Sequence, residues 1–410
     1  MPLIRPFDAL RPHPHAAHEV LSPPYDVVSR EEARALAGDK PWSFLHVSRA
    51  EINLPDEVDP YDPWVYRRAA FRFNTLIAED ILQSDPKPCY YVYRLVMGTH
   101  VQVGLVAAAS VSAYENNRIK RHEFTRPDKE DDRVRHIDAV RAQTGPVLLF
   151  YPGNDDIDQM LSACLEQPPT QEVTTGDGIQ HSLWVVEDDA RIEAFTAAFE
   201  TLPALYIADG HHRSAAAARI AQDMRRSDGT PIESGRYEYF LTVSFPHHQM
   251  RIMEYNRLLK DLNGLSVPAF LERVREHFTL EPASRAKPEQ RGEFGLYLDR
   301  QWYRLRIHPE HIPEDPVGRL DVSLLHRYLI EPVLGITDPR RDARIDFCGG
   351  IRGLDALEQR VDSGEMALAI ALFPTRIEDL MAVADAGEVM PPKSTWFEPK
   401  LADGLVCLHY

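Results

Sequence analysis

Residues 206–214 of the chain have the sequence YIADGHHRS, and together with their neighbours they predict a strand, a turn and a helix. The short apolar segment 204–208 predicts a buried strand. Residues 214–224 are rich in alanine and predict a helix. Residues 209–213 are therefore predicted to form a strand-to-helix turn. The free amides and the positive dipole end at such a helix start favour an anion, above all phosphate.

The residue types in this turn fit phosphate chemistry. Gly210 allows close backbone approach, and Arg213 can hold a phosphate with two donors. His211 and His212 can transfer a proton or bind a phosphate. The alternative is an ordinary polar turn that caps its helix. We favour the functional interpretation because strand, glycine and helix occur together.

Length, composition and charge narrow the class of protein. The 410 residues are enough for two or three domains with a large core. Hydrophobic residues make up 44% and charged residues 27% of the chain, as in ordinary soluble globular proteins. The net charge of −17 predicts no nucleic-acid and no membrane partner, because both carry negative charge. No apolar run approaches the roughly 20 residues that span a bilayer.

Cysteine usage and the start of the chain predict a cytoplasmic location. The four cysteines, Cys89, Cys164, Cys348 and Cys407, contain no Cys-x-x-Cys pair. They are expected to be buried thiols in a reducing compartment rather than disulfides or zinc ligands. The first residues lack an apolar signal region. The oligomeric state is left open.

Strand and helix patterns alternate with hairpins, which predicts an α+β fold of mixed sheets with packed helices. We expect an N-terminal α+β region at 1–165, a central region with the turn at 166–260 and a C-terminal α+β region at 261–410. Their motifs are expected to form one composite cleft. The two commonest nucleotide-binding signatures, Gly-x-Gly-x-x-Gly and the phosphate-binding loop, are absent from the sequence.

Three local patterns give testable expectations. Residues 90–96 and 101–108 predict a hairpin, and residues 43–47 predict a strand. Residues 66–82 predict an amphipathic helix. Its candidate core positions are Ala69, Phe71, Phe73, Leu76 and Ile77.

A proline-fixed entry near the start of the chain is the first of three further motifs. Residues 21–28 have the sequence LSPPYDVV, in which two prolines hold Tyr25 and Asp26 on an extended backbone. Ser29 and Glu32 then form the pattern of a helix capping box. Tyr25 and Asp26 are candidate substrate or phosphate contacts, and a purely structural role is an equal alternative.

The densest charged stretch covers residues 119–133, with the sequence IKRHEFTRPDKEDDR. Pro127 is typical of a first helical turn. Phosphate or Mg²⁺ can bind in such a place, and a solvated face is the alternative. The candidate ligands here are Arg121, His122, Glu123 and Arg133.

Residues 389–400, with the sequence VMPPKSTWFEPK, form the last motif. Its prolines keep the backbone open. Lys393, Ser394 and Thr395 together are a common set for phosphate contact. A proline-rich tail packed under Trp396 is the alternative.

Five segments of these motifs, taken in chain order, resemble the bacterial and archaeal family called domain of unknown function 1015. They are residues 23–27, 120–123, 129–133, 209–213 and 390–397. The resemblance covers nearly the whole chain. The family name implies no biochemical function. Its frequent association with serine-biosynthesis enzymes implies serine or phosphoserine as a substrate.

A second resemblance covers only the central turn. Asp-Gly-His-His-Arg followed by an alanine-rich helix is similar to the phosphate-binding turn of the ParB/sulfiredoxin-like fold, which includes nucleotide-dependent serine kinases. The resemblance implies that residues 209–213 hold nucleotide phosphates. The sulfiredoxin-type cysteine and the DNA-binding region of partition proteins have no counterpart here.

The leading functional hypothesis is phosphoryl transfer to or from a small hydroxylated metabolite such as serine, with ATP or ADP as donor and Mg²⁺ as cofactor. Glu123 or Asp209 would deprotonate the hydroxyl or hold Mg²⁺, and His211 or His212 would act in proton transfer. Two alternatives stay open. One is a non-catalytic protein that senses a nucleotide or a phosphometabolite. The other is a metal-dependent hydrolase that uses His122, Glu123, Asp209, His211 and His212.

Overall fold

The computed structural model describes residues 1–228 and 235–410. Internal contacts divide the chain into two compact units. The first unit comprises Met1–Met250 together with Pro399–Tyr410, and the second comprises Arg251–Glu398. Both contain helices packed on mixed or antiparallel sheets, which confirms the predicted α+β class.

Helices and strands have the following bounds. The strands are β1 (Ile4–Arg5), β2 (Leu10–Pro12), β3 (Leu82–Ser84), β4 (Tyr90–Met97), β5 (His100–Ser110), β6 (Ile119–Lys120), β7 (Ala142–Gln143), β8 (Val147–Tyr151), β9 (Gln171–Thr174), β10 (Gln180–Val186), β11 (Leu205–Asp209), β12 (Tyr239–Pro246), β13 (Arg251–Met253), β14 (Tyr255–Leu259), β15 (Phe278–Ala283), β16 (Glu293–Leu298), β17 (Gln301–Ile307), β18 (Ile345–Gly349), β19 (Leu368–Leu372), β20 (Trp396–Glu398) and β21 (Leu408–His409). The α-helices are α1 (Ala17–Val20), α2 (Arg30–Ala37), α3 (Leu45–Ser48), α4 (Pro63–Ala78), α5 (Val111–Glu115), α6 (Pro127–Val140), α7 (Asp155–Cys164), α8 (Asp189–Glu200), α9 (His211–Asp228), α10 (Val267–Arg275), α11 (Asp321–Leu325), α12 (Glu331–Leu334), α13 (Gly353–Asp362) and α14 (Ile377–Asp385).

The main sheet of the first unit has the strand order β6-β11-β8-β12-β5-β4-β10-β9, and β1 also pairs with β5. Most pairs are antiparallel, but β6 with β11 and β8 with β12 are parallel. The predicted hairpin is confirmed as β4 and β5. The predicted strand and helix around the central turn are confirmed as β11 and α9.

Strands from both of the first two predicted regions, 1–165 and 166–260, enter this one sheet. The last residues of the chain pack in the same unit but outside this sheet, because Leu408 pairs with Gln143 in a separate two-stranded sheet and Cys407 forms an isolated bridge with Leu10. The first unit is therefore made from two separated stretches of sequence. Such long-range pairing is invisible in local composition.

The amphipathic helix α4 buries a narrower face than the sequence pattern predicted. Ala69, Phe73 and Leu76 are buried, as expected. Phe71 is 58% exposed and Ile77 is 38% exposed, so their assignment to the core is wrong. At about 100° per residue both lie off the buried stripe.

The strand predicted at residues 43–47 is also wrong. This segment ends in helix α3, where Ser48 donates to the carbonyl of Phe44 at 2.9 Å. Phe44, Leu45 and Val47 are all buried. A short apolar run buried on all sides has no periodicity that separates helix from strand.

The second unit is built on the antiparallel sheet β15-β17-β16-β19-β14-β18, and β13 pairs with β20. Leu258, Trp302 and Leu357 belong to its core. A π-helical turn, His326–Ile330, joins α11 to α12. Across the described residues of both units, no helix is both long and apolar enough to cross a membrane.

Candidate functional site

The candidate site lies where two parallel strands end side by side. In the register of β6 and β11, Ile119 stands opposite Leu205. The carboxyl ends of paired parallel strands lie at the same edge of a sheet. Residues 121–123 and residues 209–211 therefore leave the sheet next to each other, although they are far apart in the sequence.

A β-bulge and a glycine direct the turn after β11. The pairing of β11 with β8 shifts register between Ile207 and Asp209. Gly210 has a φ of 101°, which favours glycine. A Cβ at this position would lie 3.1 Å from Nε of Arg213 and 3.3 Å from Cα of Val147. Only a residue without a side chain lets Arg213 pack across the turn.

Arg213 is a buried cation in the first turn of α9, and only 9% of the residue is exposed. Nη1 donates to the carbonyl of Pro146. Nη2 lies 3.7 Å from Oδ2 of Asp209 and 3.9 Å from Oδ2 of Asp26. Within the described residues, Nε has no hydrogen-bond partner. Burial alone would lower the pKa of Arg213, but the carboxylates of Asp26 and Asp209 outweigh it and raise the pKa.

Asp209 is held as a carboxylate by its cationic neighbours. Nζ of Lys400 lies 3.4 Å from Oδ2 of Asp209. Burial would raise the pKa of Asp209, but Lys400 and Arg213 outweigh it and lower the pKa. A carboxylate with a lowered pKa is a weak base, so Asp209 is better fitted to orient Arg213 than to accept a proton.

The Pro-Pro-Tyr-Asp entry contributes to the same site. The guanidinium of Arg133 stacks on the ring of Tyr25, with its Cζ 3.8 Å from the ring centroid. Nε of Arg133 donates to Asp132 at 3.0 Å. The side chain of Asp26 is 37% exposed. The capping box predicted at Ser29 is confirmed and begins α2 directly after this segment.

Asp403 also faces this group, although no sequence pattern singled it out. The residue is 1% exposed, and the backbone of Tyr25 hydrogen-bonds its carboxyl. Oδ1 of Asp403 has no hydrogen-bond partner in the described parts of the chain, and a Cβ on Gly145 would lie 3.0 Å from it. Burial raises the pKa of Asp403 to about 7, although Arg213 acts in the opposite direction.

A second group forms at the paired strand ends. His122, Glu123 and His211 each offer one possible metal ligand atom, and these atoms lie within 4.8 Å of one another. The two imidazole rings are perpendicular, with centroids 4.5 Å apart. Burial lowers the pKa of His122 to about 4 and the pKa of His211 well below its ordinary value. Both rings are therefore uncharged at neutral pH.

His212 and Arg121 make other contacts. Nε2 of His212 accepts a hydrogen bond from the backbone amide of Arg126 at 3.0 Å. Arg121 is exposed, and its Cζ lies 4.9 Å from the ring centroid of Tyr114. Their roles in catalysis or phosphate binding stay predictions, since any such role must compete with these contacts.

The predicted contacts Lys393, Ser394 and Thr395 belong to the second unit. Within that unit, Oγ1 of Thr375 donates to the carbonyl of Ser394 at 2.8 Å. Nζ of Lys393 lies 5.4 Å from the ring centroid of Tyr255. Their participation in phosphate binding stays a prediction.

The first unit thus brings together most of the residues predicted at its three motifs. One group surrounds Arg213 and the other surrounds His211, the adjacent residue on α9. Two members of the Arg213 group were not predicted from the sequence. Lys400 ends the last proline-rich motif but was not singled out, and Asp403 follows it in an unremarkable segment.

Family comparison agrees with the resemblance seen in the motifs. The model of the family described as "Protein of unknown function (DUF1015)" matches residues 4–323, so this chain belongs to that family. No curated protein matches the chain.

Several solved structures are similar to the chain at low identity. A free serine kinase in complex with AMP is 14% identical, covers 71% of this chain and 86% of its own, and has a TM-score of 0.35. A conserved hypothetical protein from Pyrococcus furiosus is 14% identical, with coverages of 73% and 93% and a TM-score of 0.34. SbnI with a C-terminal truncation from Staphylococcus aureus is 11% identical, with coverages of 74% and 87% and a TM-score of 0.39. These TM-scores are too low to support a conclusion about function.

Proposed function

We propose that this protein transfers a phosphoryl group to or from a small hydroxylated metabolite, with serine and phosphoserine as the first compounds to test. The phosphate would bind at the start of α9. The observation that carries this proposal is the buried guanidinium of Arg213, whose Nε lacks a hydrogen-bond partner among the described residues. A phosphate oxygen would satisfy this donor, and the helix start supplies further amide donors.

The charges around Arg213 favour a phosphate that arrives with a divalent cation. The cationic side chains of this group are nearly balanced by carboxylates. The cations are Arg133, Arg213 and Lys400, and the carboxylates are Asp26, Asp132 and Asp209. A bare nucleotide would therefore add uncompensated negative charge. Mg²⁺ bound to a carboxylate oxygen such as that of Asp209 would offset it, as in other phosphoryl transfers.

Proton transfer from the hydroxyl falls to a carboxylate other than Asp209, whose lowered pKa makes it a weak base. Asp26 fits this role because its carboxylate is both exposed and next to Arg213. Glu123, half-buried after β6, is the other candidate. Asp209 and Lys400 then orient Arg213 on the phosphate.

The direct test is an assay of the purified full-length chain with serine or phosphoserine, ATP or ADP, and Mg²⁺. Phosphorus NMR would follow the appearance of the phosphorylated product. Arg213→Lys keeps the charge but loses the planar donor set, so kcat/KM should fall by about 100-fold or more.

Arg219→Lys is the matched control on the same helix. Arg219 pairs with Glu130 at 3.0 Å and with Asp131 at 2.7 Å at the protein surface. This variant should stay within about twofold of the unmodified protein. Full activity of Arg213→Lys would overturn the placement of the phosphate. Nucleotide binding without any turnover would leave the sensing function in place of the catalytic one.

A further inference from the structure

The His122, Glu123 and His211 group lies beside the proposed phosphate site, and the two histidines have no part in the proposed phosphoryl transfer. The three ligand atoms of this group already lie within 4.8 Å of one another. The parallel pairing of β6 and β11 brings His122, two residues after the end of β6, beside His211, the first residue of α9. The three ligand groups are therefore brought together by the pairing of the two strands that precede them.

His122 carries a buried atom that lacks a partner. The residue is 2% exposed, and its Nδ1 has no hydrogen-bond partner in the described residues 1–228 and 235–410. The ring also hydrogen-bonds the backbone at Ile207. One ring nitrogen is thus anchored to backbone while the other is open. Metal-binding histidines commonly have this arrangement, in which the anchored N–H fixes the ring and its tautomer.

Packing of the His122 and His211 rings against each other without a bound ion accounts for these contacts less well than a shared metal ion does. The backbone amide of His122 donates to Nε2 of His211 at 3.5 Å, which is at the long limit for a hydrogen bond. A packed pair would also leave Nδ1 of His122 unsatisfied, at a cost of about 1–3 kcal/mol. A bound cation would give Nδ1 of His122 a partner and avoid this cost.

We propose that His122, Glu123 and His211 bind one divalent transition-metal ion of the zinc, manganese or iron(II) type. Two imidazole nitrogens and one carboxylate oxygen suit these ions better than Mg²⁺ or Ca²⁺, which prefer oxygen ligands. Three protein ligands leave at least one position for water or a substrate oxygen. The other groups of the predicted hydrolase set are engaged elsewhere, since Asp209 pairs with Lys400 and His212 accepts from the Arg126 amide.

This site is independent of the proposed phosphoryl transfer and is tested by metal content rather than by turnover. The full-length protein would be stripped with a chelator and loaded with Zn²⁺, Mn²⁺ or Co²⁺. Elemental analysis after desalting should give about one ion per chain for at least one metal. The Co²⁺ form should show visible absorption bands from nitrogen ligation. Excess Mg²⁺ should not displace the ion.

Two variants of the site and one control assign the ion to these residues. Glu123→Gln, at a half-buried position, and His122→Gln should each weaken binding by at least about 100-fold, more than loss of an outer contact would. The control is the double variant His308→Gln and His311→Gln. Among the described residues, the other group that could hold a metal is His308, Glu310 and His311 in the second unit. The control variant removes this group and should keep the ion.

Three outcomes would overturn the proposal. The first is the absence of a retained ion after loading with all three metals, which would leave an ordered water as the partner of His122. The second is loss of the ion in the control but not in Glu123→Gln, which would place it on the second unit. The third is displacement by Mg²⁺, which would show an oxygen-ligand site.

Discussion

At the scale of single residues, Gly210 has the most constrained position in the site. We expect Gly210→Ala to destabilise the protein by about 1–3 kcal/mol, because its φ of 101° is unfavourable for alanine and the added Cβ would press on Arg213. Urea unfolding measures this free energy. Gly98→Ala is the matched control, since Gly98 also has a positive φ, of 60°, but open space around its Cα. A loss no larger than that of the control would mean that Arg213 does not pack against the turn.

Asp403 should make the free energy of unfolding depend on pH. Its pKa is about 7 in the folded protein, against an ordinary value of 3.8. Between these values the folded state holds a proton that the unfolded state has lost, so stability from this group falls as pH rises towards 7. The slope is at most about 1.4 kcal/mol per pH unit. The stability that the protonated Asp403 carboxyl contributes is fully lost above pH 7.

Asp403→Asn cannot ionise and should remove this dependence. Urea unfolding of both proteins between about pH 5 and pH 8 measures it, with the difference taken at each pH so that other titrating groups cancel. The unmodified protein should lose stability relative to the variant as pH rises. Parallel pH curves would show that the Asp403 carboxyl is ionised throughout.

At the scale of elements, α2 begins directly after the segment that contains Tyr25 and Asp26, and its capping box fixes where that segment ends. Oγ of Ser29 accepts from the Glu32 amide at 3.1 Å, and the Ser29 amide donates to the Glu32 carboxylate at 2.8 Å. Ser29→Ala should therefore cost about 0.5–2 kcal/mol in urea unfolding. Ser162→Ala is a matched control, because the Ser162 hydroxyl only bonds a carbonyl within α7. Equal stability of the two variants would speak against the capping box.

The pairing of β6 with β11 is the element that creates the site. β6 contains only Ile119 and Lys120, too short for any sequence pattern to reveal its partner. The two strands meet in parallel, and this pairing places residues 121–123 beside the turn. Functional residues were predicted in both segments. Their proximity, however, depends on a contact between distant parts of the chain.

At the scale of the whole molecule, the end of the chain completes the first unit. Pro399–Tyr410 returns to it, pairs β21 with β7, and supplies Lys400 and Asp403 to the group around Arg213. A chain ending at Glu398 should show a melting temperature lower by at least about 5 °C, because it loses buried side chains and strand pairing together. Differential scanning calorimetry would measure the shift.

A variant of the whole chain with Lys400→Gln and Asp403→Asn separates the loss of these two charges from the loss of strand pairing. It removes both charges but keeps the pairing of Leu408 with Gln143. Its melting temperature should lie much closer to that of the unmodified protein than to that of the shortened chain. An unchanged melting temperature of the shortened chain would contradict the packing of this segment.

Four features could be predicted from the amino-acid sequence: the α+β class, the hairpin of β4 and β5, the capping box at Ser29 and the strand-turn-helix around residues 209–213. These features follow from patterns within a few turns of helix or a few residues of strand. Three other features could not be predicted from the sequence: the exposure of Phe71 on α4, the contact of His122 with His211 and the position of Asp403 facing Arg213. The physical reason is that burial and long-range pairing depend on which distant segments pack together, and local periodicity does not contain that information.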